Sequence, residues 1–299
     1  MTDAFAPHVM TEIASQPECW SRAAALDTGG ALPDPGERVA VIGCGTSWFM
    51  AMAYASRREA AGLGVTDAFT ASEFPAARAY DRVVAISRSG TTTEVADALR
   101  GLPQGTRSGA VVGVPGTPVA ELADDVVVLD FADEQSVVQT RFATTGLALL
   151  RAHLGENLFG AIADAREAVS FEVPPAWVDA DQTAFLGRGW TIGLAQEAAL
   201  KMREASQSWV EAYPAMDYRH GPISIAQPGR LVWMFGEPPA GLPDQVLATG
   251  AEWIHADADP MADLIRAQRL AVARAQARGL DPDHPRHLTR SVILPEAAR

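Results

Sequence analysis

Short apolar runs alternate with amphipathic stretches along the first half of the chain. A short β-branched run bounded by turn residues is typical of a buried strand in a parallel sheet. Such runs predict strands at residues 39–42, 65–71, 82–86, 109–114 and 125–130, followed by a closing helix at about 140–153. The short helical crossovers between them predict a parallel sheet covered on both faces, with strand order 2-1-3-4-5.

A second, more degenerate alternation follows. It predicts strands at 183–187, 230–235 and 252–255, a helix at about 191–209 and a polar, arginine-rich helix at about 261–278. The fold class is therefore α/β, with two tandem doubly wound, flavodoxin-like parallel-sheet domains. We place an N-terminal helical arm at 1–35, the first domain at 36–155, a helical linker at 156–182, and the second domain with its C-terminal tail at 183–299.

Composition excludes some classes of function. Of the 299 residues, 48% are apolar, so a large core needs no metal or disulfide, and the net charge of −13 argues against nucleic acid. The two cysteines, Cys19 and Cys44, fit a reducing compartment and lack zinc-site spacing. Because the chain shows no signal peptide and no apolar run of membrane-spanning length, we expect a cytoplasmic protein with no membrane partner.

Four hydroxyls and a glycine follow the third predicted strand in the segment Ser87-Arg88-Ser89-Gly90-Thr91-Thr92. Hydroxyls and free backbone N–H groups at a helix N-terminus bind anions, and this number of hydroxyls suggests a phosphate monoester. The alternative is helix capping by Thr91 or Thr92, which needs only one hydroxyl. Arg88 either contacts the anion, which we favour, or is a solvated side chain.

A related turn, Gly43-Cys44-Gly45-Thr46-Ser47, follows the first strand. It lacks the third glycine of a dinucleotide fingerprint and the Gly-Lys of a Walker loop. By itself it is equally well explained as a tight turn with Thr46 and Ser47 as helix caps. Because the Ser87 turn ends a neighbouring strand, the two turns together favour one anion site.

The helix that begins at Thr191 carries Glu197, Lys201 and Glu204 on one face. Spacing alone favours a surface salt-bridge stripe, although the preceding glycine turn and the apolar neighbours weaken that interpretation. His220 lies in a loop held by glycine and proline, whereas the other five histidines suggest no site. No Gly-x-Ser-x-Gly elbow or metal-binding histidine pair is present, so hydrolase and metalloenzyme functions have no support.

The chain resembles the sugar isomerase (SIS) domain family over nearly its whole length, in particular the isomerase half of glucosamine-6-phosphate synthase and the single-chain aminosugar-phosphate deaminases and deglycases. The motifs that carry the resemblance occur in order at 12–17, 44–47, 71–74, 87–90, 134–145, 185–189, 197–204, 211–213, 219–222 and 283–292.

The resemblance implies a set of site residues. The substrate-binding residues would be Cys44, Gly45, Thr46, Ser47, Ser87, Arg88, Ser89, Thr92 and Val137. Of these, Thr46, Ser47, Ser87, Ser89 and Thr92 would hold the sugar phosphate, Arg88 stands where the family often has glutamine, and Val137 would line the sugar. Glu204 would be the base that moves a proton between C1 and C2, with Lys201 beside it. His220 would open the sugar ring, reaching the site from the second subunit of a homodimer. No metal and no cofactor are expected.

Two positions depart from the family pattern. Arg290 stands where the synthase has a lysine that contacts the open sugar, and Gln139 replaces a serine. Arginine stays protonated, so Arg290 cannot act as a base or form an imine, although it can bind a hydroxyl or help hold the phosphate. Thr2 stands where the synthase's glutaminase would have its catalytic cysteine, so we expect no ammonia supply from glutamine in this chain.

The sequence therefore predicts an aldose–ketose isomerase-type enzyme acting on a phosphorylated amino sugar, foremost the deamination of glucosamine 6-phosphate to fructose 6-phosphate and ammonia. A deglycase that splits a 6-phospho-fructosamine–amino-acid conjugate is the first alternative. A non-catalytic phosphosugar-binding or regulatory module is the second: Arg290 favours it, and the presence of Glu204 and His220 argues against it.

Overall fold

A computed structural model of the chain describes residues 7–295 and divides into two compact units. One unit, called the five-stranded unit, comprises Glu18–Glu134, Arg141–Leu158 and the chain from Thr289 onward. The other, called the four-stranded unit, comprises the chain up to Pro17, Gln135–Thr140 and Phe159–Leu288. The domain boundaries that we placed at 36, 155 and 183 stay a prediction.

Strands and helices alternate along the chain. The strands are β1 Val39–Gly43, β2 Thr66–Thr70, β3 Arg82–Ser87, β4 Arg107–Val112, β5 Asp125–Val128, β6 Gln182–Gly187, β7 Val210–Pro214, β8 Arg230–Phe235 and β9 Glu252–His255. The helices are α1 Pro7–Ala14, α2 Gln16–Ala24, α3 Thr46–Ala60, α4 Thr93–Arg100, α5 Pro118–Leu122, α6 Arg141–His153, α7 Phe159–Ala168, α8 Pro175–Val178, α9 Thr191–Ser206, α10 Leu242–Leu247 and α11 Pro260–Ala277. Helices α1 and α2 fall in the predicted arm, whose separate role stays a prediction.

The sheet of the five-stranded unit is entirely parallel, in the order β2-β1-β3-β4-β5. The predicted strand order is confirmed. Strands β1 and β3 are neighbours and are buried along their whole length, as expected for central strands covered on both faces. Their carboxyl ends, Gly43 and Ser87, therefore lie at the same edge of the sheet.

The sheet of the four-stranded unit is also parallel, in the order β7-β6-β8-β9. We did not predict β7 and extended the preceding helix to residue 209, which was wrong. The helix ends at Ser206 because Gln207 adopts a left-handed conformation, with φ of 53°. Among the strands of residues 7–295, β7 pairs with β6 alone, and as a half-buried edge strand ending in Pro214 it carries no continuous apolar run.

Helix α11 packs against α9, and its polar side chains are less exposed than the sequence suggested. Arg274 is completely buried and donates hydrogen bonds to the carbonyl of Trp177, at 2.7 Å from Nη2, and to the hydroxyl of Thr183 at 3.1 Å. Burial lowers the pKa of this guanidinium to about 10. The arginine-rich pattern of α11 thus belongs partly to the core.

Gly187 ends β6 in tight contact with the first turn of α9. A Cβ built on Gly187 would lie 2.3 Å from the carbonyl oxygen of Thr191, a backbone atom that cannot move independently. We expect Gly187→Ala to lower the free energy of unfolding by about 1–3 kcal/mol, the usual cost of overpacking. The matched change is Gly146→Ala in α6, where a Cβ meets nothing within 4 Å.

Gly146→Ala is expected to raise stability by roughly 0.5–1 kcal/mol, since alanine loses less backbone entropy in a helix. Urea unfolding followed by circular dichroism measures both variants. Equal midpoints for the two variants would contradict the close contact at Gly187.

Candidate functional site

The turn after β1 is shaped by Gly45, which has φ of 53° and ψ of −123°. Gly45 occupies the N-cap position of α3, so Thr46 and Ser47 are the first helical residues and not its caps. The alternative in which their hydroxyls serve as caps is therefore wrong. Both side chains are buried at this edge of the sheet, at 5% and 4% exposure.

The turn after β3 is held by its own serines. The Ser87 hydroxyl accepts a hydrogen bond from the amide of Gly90 at 3.1 Å, and the Ser89 hydroxyl accepts one from the amide of Thr91 at 3.2 Å. Gly90 has φ of 64°, and a Cβ there would lie 1.9 Å from the hydroxyl oxygen of Thr117. The loop can pass this close to Thr117 only because residue 90 is glycine.

Thr92 occupies the N-cap position of α4, but its side chain makes no capping hydrogen bond. Helix capping therefore does not explain why a threonine stands at this position. The backbone amides of the first turn of α4 have no intrahelical acceptors, and one of them, that of Thr93, donates to the carbonyl of Val292 at 3.2 Å. This arrangement suits an incoming anion, which accepts hydrogen bonds from amides and hydroxyls alike.

Arg88 is buried, with 5% of its side chain exposed. Its Nη1 lies 3.7 Å from a carboxylate oxygen of Glu134, which is also buried, and its Nη2 donates to the carbonyl of Arg290 at 3.1 Å. The alternative in which Arg88 is a solvated side chain is therefore wrong. Its proposed contact with an anion stays a prediction.

Arg290 is held by the segment that follows β5. Its guanidinium donates to the carboxylate of Asp133 and to the backbone carbonyl of Glu134. Asp133 and Glu134 thus fix two arginines, Arg290 and Arg88 of the β3 turn. Sequence reasoning gave Asp133 and Glu134 no role; the signal was an acidic pair a few residues after the last strand of a sheet whose β3 turn carries Arg88.

Glu197, Lys201 and Glu204 form a buried series of charges on α9. Lys201 Nζ lies 2.5 Å from Glu204 Oε2 and 3.5 Å from Glu197 Oε1. The side chains of Lys201 and Glu197 are 1% and 0% exposed, while that of Glu204 keeps 19% exposure. The surface salt-bridge interpretation is therefore wrong, because a stripe of that kind would be solvated.

His220 ends a 3-10 turn, Asp217–His220, and its side chain is exposed. The turn is anchored by its neighbours: Tyr218 is 1% exposed in the core of the four-stranded unit, and Arg219 donates to Gln245 at 2.7 Å. The histidine is thus presented to solvent by a fixed piece of backbone.

The remaining predicted residues differ in their surroundings. Val137 is half-buried, and its amide donates to the carbonyl of Asp283 at 3.0 Å. Burial, assisted by the Glu94 carboxylate, raises the pKa of the Cys44 thiol to about 11. Cys44 is consequently protonated at neutral pH and a weak nucleophile. Its role in substrate binding stays a prediction.

The structure groups the predicted site residues by unit. The five-stranded unit contains Arg290 and all the proposed phosphate-binding residues, whereas the four-stranded unit contains Glu204, Lys201, His220 and Val137. Within residues 7–295, no group of three or more histidine, cysteine, aspartate or glutamate side chains is arranged to hold a metal ion. No helix in the same range is long and apolar enough to cross a membrane.

Comparison with known proteins finds sugar-phosphate enzymes. The chain is 26% identical over 349 residues to a glutamine–fructose-6-phosphate aminotransferase (isomerizing) of Pyrobaculum aerophilum, covering 96% of this chain and 58% of that protein. It is 29% identical over 300 residues to the enzyme of the same name from Sulfurisphaera tokodaii, covering 86% and 50%. The chain thus spans about half the length of these curated relatives. No protein-family model matches it.

Solved structures that superpose on the chain include enzymes with related names. Glucosamine-6-phosphate deaminase from Thermotoga maritima superposes with a TM-score of 0.79 at 25% identity, covering 96% of this chain and 99% of that one. The C-terminal domain of glucosamine-fructose-6-phosphate aminotransferase from Francisella tularensis superposes with a TM-score of 0.76 at 22% identity, covering 93% and 98%, and shows a shared fold. The similarities support the sugar isomerase family and, at that level, an enzyme of the phosphosugar isomerase type.

Proposed function

We propose that this chain is a cytoplasmic enzyme that converts glucosamine 6-phosphate and one water to fructose 6-phosphate and ammonia, the water supplying the oxygen that replaces the amine at C2. The observation that carries the proposal is the buried charge series on α9. A carboxylate that keeps 19% exposure beside a lysine ammonium at 2.5 Å is accessible to a substrate and electrostatically held in place. A purely structural ion pair has no need of the second buried carboxylate, Glu197, 3.5 Å from the same lysine.

Glu204 is the proposed base that carries a proton between C1 and C2 of the open sugar. General acid–base catalysis requires a side chain that accepts and returns the same proton, which a carboxylate does and an arginine does not. Lys201 positions that carboxylate and offers a positive charge to the oxygen that becomes negative as the proton leaves. This division of roles assigns Arg290 to binding and not to proton transfer.

The β1 and β3 turns are the proposed phosphate site. The hydroxyls of Thr46, Ser47, Ser87, Ser89 and Thr92 follow two neighbouring strands, and ligands of open α/β sheets bind beyond the carboxyl ends of the strands. The chain's net charge of −13 repels an anion, so local hydroxyl and amide donors must hold it.

His220 is the proposed ring-opening group, acting in the site of a second copy of the chain. Its exposure on an anchored turn supports that role, because a side chain offered to another subunit must project from its own. The likeness to the Thermotoga maritima deaminase supports ammonia release as the direction of reaction.

Release of ammonia from glucosamine 6-phosphate tests the proposal. We expect ammonia and fructose 6-phosphate in equal amounts, and no turnover of glucosamine lacking the phosphate. A panel of fructosamine 6-phosphates is assayed in parallel. Turnover of the panel alone would replace the proposal with a deglycase, and turnover of neither substrate would leave only a binding module.

A further inference from the structure

The segment Thr289–Leu294, called the tail, lies across the β3 turn within the five-stranded unit. The amide of Thr93 donates to the carbonyl of Val292 at 3.2 Å, and the amide of Leu294 donates to the hydroxyl of Thr93 at 2.9 Å. These two bonds fix the tail at the N-terminus of α4.

The tail is also fixed on the other side of Ser291. Arg88 Nη2 donates to the carbonyl of Arg290 at 3.1 Å, and the Arg290 guanidinium binds Asp133 and Glu134. Residue 291 is therefore held between two anchored neighbours, and its position is determined by the fold.

The Ser291 hydroxyl contacts two hydroxyls of the β3 turn. Ser89 Oγ lies 3.1 Å from Ser291 Oγ and Thr91 Oγ1 lies 2.9 Å from it, and in both contacts the turn residue donates. A serine hydroxyl has one hydrogen to donate and two lone pairs to accept with. Both lone pairs are thus used, and no acceptor for the Ser291 hydroxyl hydrogen is found among residues 7–295.

We propose that Ser291 is a further ligand of the anion, donating the hydrogen of its hydroxyl to a phosphate oxygen bound at the β3 turn. The inference rests on the proposed function, since it assigns another residue to the same phosphate site. The arginines nearest the tail are already engaged by the carboxylates of Glu134 and Asp133. A phosphate bound at this edge of the sheet therefore depends on neutral hydrogen-bond donors. Ser291 is one such donor, and it contacts Ser89 and Thr91 of the β3 turn.

Titration calorimetry with fructose 6-phosphate and with inorganic phosphate tests this assignment. A hydrogen bond to a charged group is expected to change affinity by about tenfold or more. Ser291→Ala should weaken binding of both ligands by about the same factor, because both present the phosphate. Ser291→Thr keeps the hydroxyl and should bind within about threefold of the unchanged chain.

The matched control is Thr289→Ala. Thr289 donates to the backbone carbonyl of Ser291 at 2.9 Å. This variant therefore removes a tail hydroxyl that supports the segment but is not one of the proposed phosphate-binding residues. It should bind within about twofold of the unchanged chain, and an equal loss in both alanine variants would mean that tail docking alone matters.

Two further outcomes overturn the inference while leaving the proposed function standing. In the first, Thr92→Val weakens both ligands and Ser291→Ala weakens neither. In the second, Ser291→Ala weakens fructose 6-phosphate alone, which would place its contact on the sugar. Absence of binding to the unchanged chain would instead overturn the proposed function, and this inference with it.

Discussion

Glu204→Gln is expected to lower the turnover of glucosamine 6-phosphate by about 10²–10⁴-fold, the range that a general base contributes. Glutamine has nearly the shape of glutamate but cannot accept the proton from the sugar carbon. The proposed phosphate-binding residues belong to the other unit, so fructose 6-phosphate should still raise the thermal midpoint of the variant by mass action.

Glu167→Gln is the matched control for this variant. Glu167 is an exposed glutamate on α7, in the same unit as Glu204, and its amide variant should retain the turnover of the unchanged chain. Ammonia release at saturating substrate measures both variants. Full turnover by Glu204→Gln would show that the base has been assigned to the wrong residue. Loss of both turnover and the thermal shift would show that Glu204 serves binding.

The arrangement of the first sheet could be predicted chiefly because its central strands stand out in the sequence as apolar runs. Strands β1 and β3 are buried along their whole length, and such strands are near-continuous apolar runs. The hydroxyl-rich turns then follow from topology, since parallel neighbours end at one edge. Strand β7 carries no such signal, because an edge strand with half-buried residues lacks a continuous apolar run.

The environment of the α9 charges could not be predicted for a different reason. A spacing of four and three residues places Glu197, Lys201 and Glu204 on one helix face, whether that face is exposed to solvent or buried. The deciding factor is the tertiary packing of α9, which contacts β6, β7 and also α11, a helix about 70 residues later in the chain. No local pattern reports such a contact.

The tail illustrates the same limit in the candidate site. Its motif at 283–292 suggested Arg290 as a departure from the family, but the role of Ser291 depends on distances to Ser89 and Thr91, some 200 residues earlier. The contacts of Asp133 and Glu134 with Arg290 are likewise visible only in the folded structure. Residue types suggested a phosphate site, whereas the contacts of Ser291, Asp133 and Glu134 are visible only in the structure.

Lys201→Met is expected to lower the free energy of unfolding by about 3–5 kcal/mol, the usual cost of removing one partner from a buried ion pair. Lys201 is 1% exposed, and its ammonium lies 3.5 Å from Glu197, whose side chain is 0% exposed. Without the ammonium, folding must bury the Glu197 carboxylate beside an apolar methionine. Methionine nearly matches the lysine stem in length, so a packing defect contributes little of the loss.

The double variant Glu197→Gln/Lys201→Met separates charge from packing. Replacing both members of a buried ion pair is often close to neutral, so the double variant should be more stable than Lys201→Met alone. Urea unfolding measures the single and double variants under the same conditions. If Lys201→Met unfolds at the midpoint of the unchanged chain, or if the double variant is the less stable of the two, the ammonium does not offset the buried carboxylate. In that case Glu197, Lys201 and Glu204 do not form one electrostatic unit, and α9 loses its claim to the proton-transfer chemistry.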